Sequence, residues 1–520
     1  MSKNLEDKFY SISLLLILLS ILLFVSCGKV YVQKRELVSP DNSEQLTSQS
    51  KYLKAHMYNG QVYILSDWIV DSANRIVFGS GKLFDINRYV ISEGSVSISL
   101  DSVAIFETNV NSVSGGIGAL TILTGFSAAA TVYCIANPKA CFGSCPTFYA
   151  SDGKDDQLMA EGFSSSVAPA LEKSDIDALY RAVPSGSVFK LTMTNEAPET
   201  HMIRYADILA VPRFEGNRVF VTEQGDYYQT NKIVEPTQCK AKEGNCIKEL
   251  TSFDGNERIS LADSVYLGDK EEIELEFSSV PDGDYGLVIS SRQSLMSTYL
   301  FYQALSYMGS RIGEYFAAME RLGSNSWGYA GGIGKVLGGV EVFLLDSLDN
   351  WQSAGKINET GPLATDTKII PLPQIQTDKV RIQLRFTRGY IRLDYTALAR
   401  LEKMVKPIRL HPSIVYRDNV EDEKTKSSLL DKSELLITMP GDVYTLGYQL
   451  PVNYRDYELF LESRGYYLEW MRDEWQAEEN SELARMMLFT PEQALRYLAP
   501  EFKQAEPYLE EMFWNSKYVK

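Results

Sequence analysis

The six cysteines are the side chains best able to do chemistry, and their spacing divides them. Cys239 and Cys246 bracket the polar stretch Lys240-Ala-Lys-Glu-Gly-Asn245, a loop suited to a local disulfide. Cys134, Cys141 and Cys145 crowd together, so at most one pair can close and one thiol is left over. Such a cluster could hold a soft metal or cycle as a dithiol. No His lies near it and the Cys-x-x-Cys spacing is missing, so structural sulfur is the better reading. Three histidines in all, His56, His201 and His411, argue against a histidine-rich metal centre. Asp152-Gly-Lys-Asp-Asp156 and Asp282-Gly-Asp284 lack EF-hand spacing and read as turns, leaving no metal site assigned.

Enzyme signatures fail in the same way. Gly162-Phe-Ser-Ser-Ser166 is not a nucleophile elbow. Trp327-Gly-Tyr-Ala-Gly-Gly-Ile-Gly-Lys335 misses phosphate-loop spacing, and Val336 stands where Ser or Thr would hold magnesium. No carboxylate pair is singled out for glycoside hydrolysis. No catalytic residue and no cofactor are assigned. The chain reads as a binding protein rather than an enzyme.

The elements that would position these residues are mostly strands. A chain of 520 residues needs several domains. Residues 52–112 alternate in short runs broken by Gly and Asn, which predicts a small β domain. Residues 113–187 hold the cysteine cluster, a helix beginning at Ser174, and the uncharged stretch Gly115–Ala136. That stretch is long enough to cross a bilayer, but its weak hydropathy favours a packed helix.

An internal repeat organises the rest. Val188–Met193 leading to Ile203-Arg204 matches Val380–Leu384 leading to Ile391-Arg392, and Asp284–Arg292 aligns without gaps on Asp456–Arg464. The repeat predicts tandem β-sandwich units over 188–323 and 380–480, each running into a helix, the second over Glu462–Glu479. Arg292 and Arg464, equivalent in the two copies, are expected to be structural. Residues 324–379 form a Gly-rich loop and connecting strands, and 481–520 an acidic helical tail whose helices Pro500 and Pro507 should shorten. The fold class is therefore mainly β with helices.

The net charge of −17 excludes a nucleic-acid partner, since phosphate binding needs a basic footprint. Residues 1–26 read as an export leader: Ile12–Val25 is apolar but short for a span. The run ends in Phe24-Val25-Ser26-Cys27, which resembles the lipobox of bacterial lipoproteins, with Phe24 where Leu is usual. The resemblance implies cleavage before Cys27, acylation of that residue, and a membrane partner through the lipid anchor. Residues 27–51, polar and aperiodic, read as a tether. Gly28 after Cys27 points to the outer membrane or its periplasmic face. The string Cys141-Phe-Gly-Ser-Cys145-Pro-Thr-Phe-Tyr149 also resembles uncharacterised bacterial proteins, which brings no activity with it. Two functions remain open: an exported lipoprotein that binds or scaffolds a protein partner, or a surface lipoprotein that binds or processes a glycan.

Overall fold

The computed structural model describes residues 30–515, except 39, 47–52, 58–60, 85–89, 115–144, 198, 316–331, 359–360, 376 and 470–477. Cys27, Cys134, Cys141, the uncharged stretch 115–136 and most of the Gly-rich loop thus lie outside the described residues. Strands dominate, gathered into five antiparallel sheets. No described helix is long and apolar enough to cross a membrane.

Sheet I joins Val30–Val38, Val103–Ser114, Leu53–Met57, Val62–Asp71, Ile76–Phe84 and Val90–Ser99, in that spatial order. Its small core centres on Leu53, Leu65, Val77 and Phe106. The expected tether needs correcting: residues 30–38 form the edge strand, paired from Val30↔Ser114 to Val38↔Phe106. An edge strand has one paired side and tolerates the polar residues that made this segment read as a linker.

Sheet II runs Val420–Glu421, Ile414–Arg417, Val443–Gln449, Val188–Thr194, Thr147–Ser151, Asp156–Glu161. It shares one core, including Phe148, Leu191, Tyr448 and Leu461, with sheet III. Sheet III runs Ile408–Leu410, Glu199–Pro212, Tyr457–Glu469, Lys173–Ala178, with Leu436–Thr438 also on Glu199–Pro212. Sheet IV comprises Arg218–Val221, Tyr227–Val234, Ile391–Val405, Tyr285–Gln293 and Asp366–Pro371. It closes with sheet V (Gly244–Asn245, Gln238–Ala241, Lys270–Ser278, Lys379–Thr387, Val340–Leu345, Trp351–Ile357) over Leu275, Leu287, Ile382 and Leu393. The second sandwich is thus inserted between Pro212 and Ile408 of the first. The outer faces of sheets III and IV meet through Leu209, Val211, Val219, Tyr227 and Phe460.

This nesting corrects the tandem arrangement. Strand Val188–Thr194 pairs with Val443–Gln449, and Glu199–Pro212 with Tyr457–Glu469. Lys270–Ser278 pairs with Lys379–Thr387, and Tyr285–Gln293 with Ile391–Val405. Each sandwich therefore combines the first half of one sequence copy with the second half of the other. The copies keep equivalent partners but exchange them. Alternation dictates which face each strand buries, yet it does not say which of two equivalent strands lies alongside.

The equivalence extends to buried charge. Glu172 accepts from Arg204 Nη2 at 2.7 Å and from Arg464 Nε at 2.8 Å. Glu257 accepts from Arg292 Nε at 2.6 Å and Arg392 Nη1 at 3.3 Å. One carboxylate clamped between two arginines of neighbouring strands recurs in both sandwiches, so Arg292 and Arg464 hold the fold together as expected.

The α-helices among the described residues include α1 (Met296–Met308), α2 (Gly332–Leu337), α3 (Glu423–Leu430), α4 (Ser481–Phe489) and α5 (Pro491–Asn515). Helix α1 falls where the repeat placed it, and α2 occupies the end of the expected Gly-rich loop. One expected helix is a strand and so is the start of another, whose residues 470–477 lie outside the described residues. Ser174 lies in Lys173–Ala178, which pairs with Phe460–Gly465, and its hydroxyl sits 2.9 Å from Tyr205 Oη instead of capping a helix. Residues 462–469 continue the strand Tyr457–Glu469, because pairing with Glu199–Pro212 buries Tyr466 and Tyr467 on opposite faces and overrides helical spacing. Helix α5 starts at Pro491 as expected but runs through Pro500 and Pro507, its face of Leu495, Leu498, Ala499 and Phe502 packed into the core.

Cys239 and Cys246 form a disulfide with Cα atoms 5.1 Å apart. The Cys239→Ser, Cys246→Ser double variant should lose about 2–3 kcal/mol of stability while keeping its fold. Urea unfolding followed by circular dichroism checks this, and an unchanged midpoint would contradict it.

Candidate functional site

Of the cysteines and histidines singled out above, Cys145 alone among the described residues lines the cavity where the ends of the two sandwiches meet the helices. This cavity of about 550 Å³ is walled by Leu300, Phe301, Leu305 and Met308 of α1, Leu337 of α2 and Met487 of α4. Its buried polar side is built by the outer sandwich: Cys145, Glu161, Tyr467 and Glu469. Each has a positional reason. Glu161 ends the sheet II edge strand opposite Thr147, and Cys145 leads into that neighbouring strand. Tyr467 and Glu469 lie on the unexpected extension of Tyr457–Glu469 beyond sheet III's clamp.

Glu161 is the residue that sequence reasoning missed. It is 3% exposed, and its Oε2 accepts from the backbone N–H of Leu363 at 2.7 Å and of Ala364 at 3.4 Å. Gly361 lies so close to the carboxylate that a Cβ there would overlap it. Burial pushes the carboxyl up to about 7, against the pull of the Leu363 and Ala364 N–H groups and the Cys145 thiol. A single Glu at the end of an alternating run carried no signal of its own. The cue lies in Gly361-Pro362, two hundred residues away.

Neighbouring groups define what the site can do. Tyr467 Oη donates to Ser164 O at 2.9 Å, and Tyr302 Oη donates to Glu469 Oε1 at 3.0 Å. Cys145 is a buried reduced thiol, and burial first, then Glu161 and Glu199, pushes its pKa well up. It is the wrong state for a nucleophile or a metal ligand. Neither imidazole with a carboxylate partner lines the cavity: His201, edge-on to Tyr467 with centroids 6.4 Å apart, has Nε2 at 2.9 Å from Glu199, and His411 Nδ1 lies 2.8 Å from Asp207. The second belongs to a clasp in which Arg409 Nη1 also reaches Asp207 at 2.8 Å, fastening the short strand Ile408–Leu410 to sheet III. Among the described residues no three His, Cys, Asp or Glu are placed to hold a metal. Asp152 is a turn residue, its Oδ1 accepting from Lys154 N and Asp155 N at 2.8 and 2.9 Å.

No protein-family model matches the sequence, and no curated protein matches it. Among solved structures, TmCBM61 bound to β-1,4-galactotriose is 15% identical over 26% of this chain and 67% of its own, with a TM-score of 0.15. An exo-β-1,3-galactanase from Phanerochaete chrysosporium is 10% identical over 71% of this chain and 68% of its own, TM-score 0.16. A secreted serine protease from Vibrio cholerae is 10% identical over 73% and 97%, TM-score 0.13. Likenesses this slight carry no argument about what the chain does.

The Glu161 carboxyl makes stability depend on pH. The folded chain holds its proton up to about pH 7, whereas a free Glu releases it near 4.5. The folded state therefore binds more protons between these values, and stability falls as pH rises through that window. Glu161→Gln should make this slope shallower. Asp394, pushed up to about 6 by burial, and Asp175, Asp177 and Glu458, also raised by burial, keep the rest of it. Thermal midpoints at about pH 5 and about pH 8 check the sign, and a steeper slope in the variant would refute it.

Proposed function

We propose that this chain is an exported lipoprotein, anchored through acylated Cys27 at the cell envelope, that works by binding rather than by catalysis. Its ligand site is the capped cavity, and its ligand a small amphiphilic molecule. The observation that carries this reading is the cavity itself: about 550 Å³, apolar on its helical side, with a few buried polar groups at the other. Ligand sites in proteins are of this size and character. The disulfide Cys239–Cys246 agrees with an oxidising compartment. The protonated thiol of Cys145 and the absence of an imidazole among the described lining residues weigh against a catalytic role.

A glycan partner is less well supported. Sugar platforms need exposed rings side by side, whereas Tyr285, Tyr444, Tyr448 and Tyr466 are fully buried. Among the described residues the exposed rings Phe78, Phe214, Phe253, Phe489 and Tyr497 lie on separate elements, and the ring on which Phe253 stacks, Tyr395, is itself buried.

Two measurements test the proposal. Cys27→Ala should abolish labelling by fatty acid, and persistent labelling would remove the anchor. Ala304→Phe, on the cavity wall, should reduce binding of the neutral probe phenylnaphthylamine at least about tenfold without changing the circular dichroism. Undiminished probe binding would place the ligand elsewhere.

A further inference from the structure

We propose that the ligand's head group is a cation, an alkyl ammonium seated against Glu161 with its chain among the α1 and α4 side chains. This inference rests on the cavity being the binding site. The charges lining the cavity are segregated. The acids Glu161 and Glu469 are buried, 3% and 5% exposed, whereas the lysines Lys173 and Lys335 are exposed at the rim. Glu469 already accepts from Tyr302 Oη. Glu161 has no ion pair among the described residues: backbone N–H groups and the Cys145 thiol satisfy it only as neutral or weakly polar donors do. A buried carboxylate lacking a counter-charge is costly, and a cation brought to it recovers that cost. An anionic head would meet two acids and is disfavoured for the same reason. The Leu363 and Ala364 N–H groups fix the carboxylate in the space that Gly361 leaves open, so the acceptor is oriented before the ligand arrives.

The protonation state gives the proposal a signature. An ammonium binds the ionised carboxylate, so its affinity rises with pH until Glu161 is fully ionised. The groups facing Glu161 are the Cys145 thiol, Tyr467 and Glu469 from the outer sandwich, Asp175 and Asp177 from Lys173–Ala178, and the rim residue Lys173. Lys335 is the charge the helices contribute to the lining. Burial pushes the Cys145 thiol and the Tyr467 phenol well above their ordinary values, so both stay protonated across this range. Asp175 and Asp177 are carboxyls raised in the same direction as Glu161, so Glu161→Gln is the variant that assigns the pH dependence.

The test uses the full chain and three probes of equal tail, dodecylamine, dodecanol and dodecanoate, each below its micelle concentration and each displacing phenylnaphthylamine. Dodecylamine is expected to bind at least about tenfold more tightly than dodecanol, with dodecanoate weakest, and its affinity to rise about tenfold between about pH 6 and about pH 8. Glu161→Gln should erase the amine's advantage and its pH dependence while keeping dodecanol binding, which also reports an intact fold. Equal binding of dodecylamine and dodecanol at pH 8 overturns the cation inference and leaves the cavity reading standing. So does a flat pH profile in the unsubstituted chain, whatever the variant does. Failure of phenylnaphthylamine and all three probes to bind overturns both.

Discussion

Glu172→Gln is expected to lower the stability of the outer sandwich by about 3–5 kcal/mol, the cost of stripping the partner from buried charge. Arg204 is 4% exposed and Glu172 shares its burial, so water cannot replace the lost carboxylate. Burial by itself would raise the Glu172 carboxyl; the Arg204 and Arg464 guanidiniums overcome it and hold the group below its ordinary value. A depressed carboxyl stabilises the fold above the unfolded pKa, and that contribution is lost as pH falls through the folded value. Acid should therefore erase the difference between Glu172→Gln and the unsubstituted chain. Glu257→Gln should act alike in the inner sandwich, where Arg292 and Arg392 close the equivalent clamp. Urea midpoints of both variants are the measurement. A loss under about 1 kcal/mol in either would show that the clamp is surface-like in its energetics.

Phe460→Ala should cost a comparable amount, about 3–5 kcal/mol, by opening a cavity where the sandwiches meet. Phe460 is 0% exposed and stands edge-on to Tyr227 and Tyr180, with centroids 5.1 and 5.8 Å away. Leu209 and Val219 complete the contact between sheets III and IV. Only two links, 213–217 and 406–407, connect the sandwiches through the chain. Loosening the contact should expose them, so limited proteolysis of Phe460→Ala is expected to cut there first and faster. Unchanged cleavage would mean that the contact does not hold the two bodies together.

Both expectations depend on an arrangement that was half legible. The gapless match of Asp284–Arg292 with Asp456–Arg464 identified equivalent strands, and Tyr285 and Tyr457 do occupy corresponding ends of them, opposite Arg400 and Pro212. It also identified Arg292 and Arg464 as structural. Their shared carboxylates could not be read, because Glu172 lies outside both repeat units and Glu257 in a part of the first that has no aligned counterpart. The cavity was illegible for the same reason. Glu161, Leu363, Tyr467 and α1 are far apart in sequence, and none carries a motif.

Local chemistry lies within reach of the sequence because it depends on neighbours in the chain: the loop that places Cys239 beside Cys246, the turn at Asp152, the Pro491 helix start, the period-two runs that make strands. Pairing depends on competition among segments of nearly equal merit. Val188–Thr194 had two suitable partners, and Glu462–Glu469 suited a helix and a strand alike. The tertiary structure decided both by what else had to be buried. Nesting one sandwich inside the other lets sheets III and IV cover each other's outer faces, which two separate tandem units would leave to water.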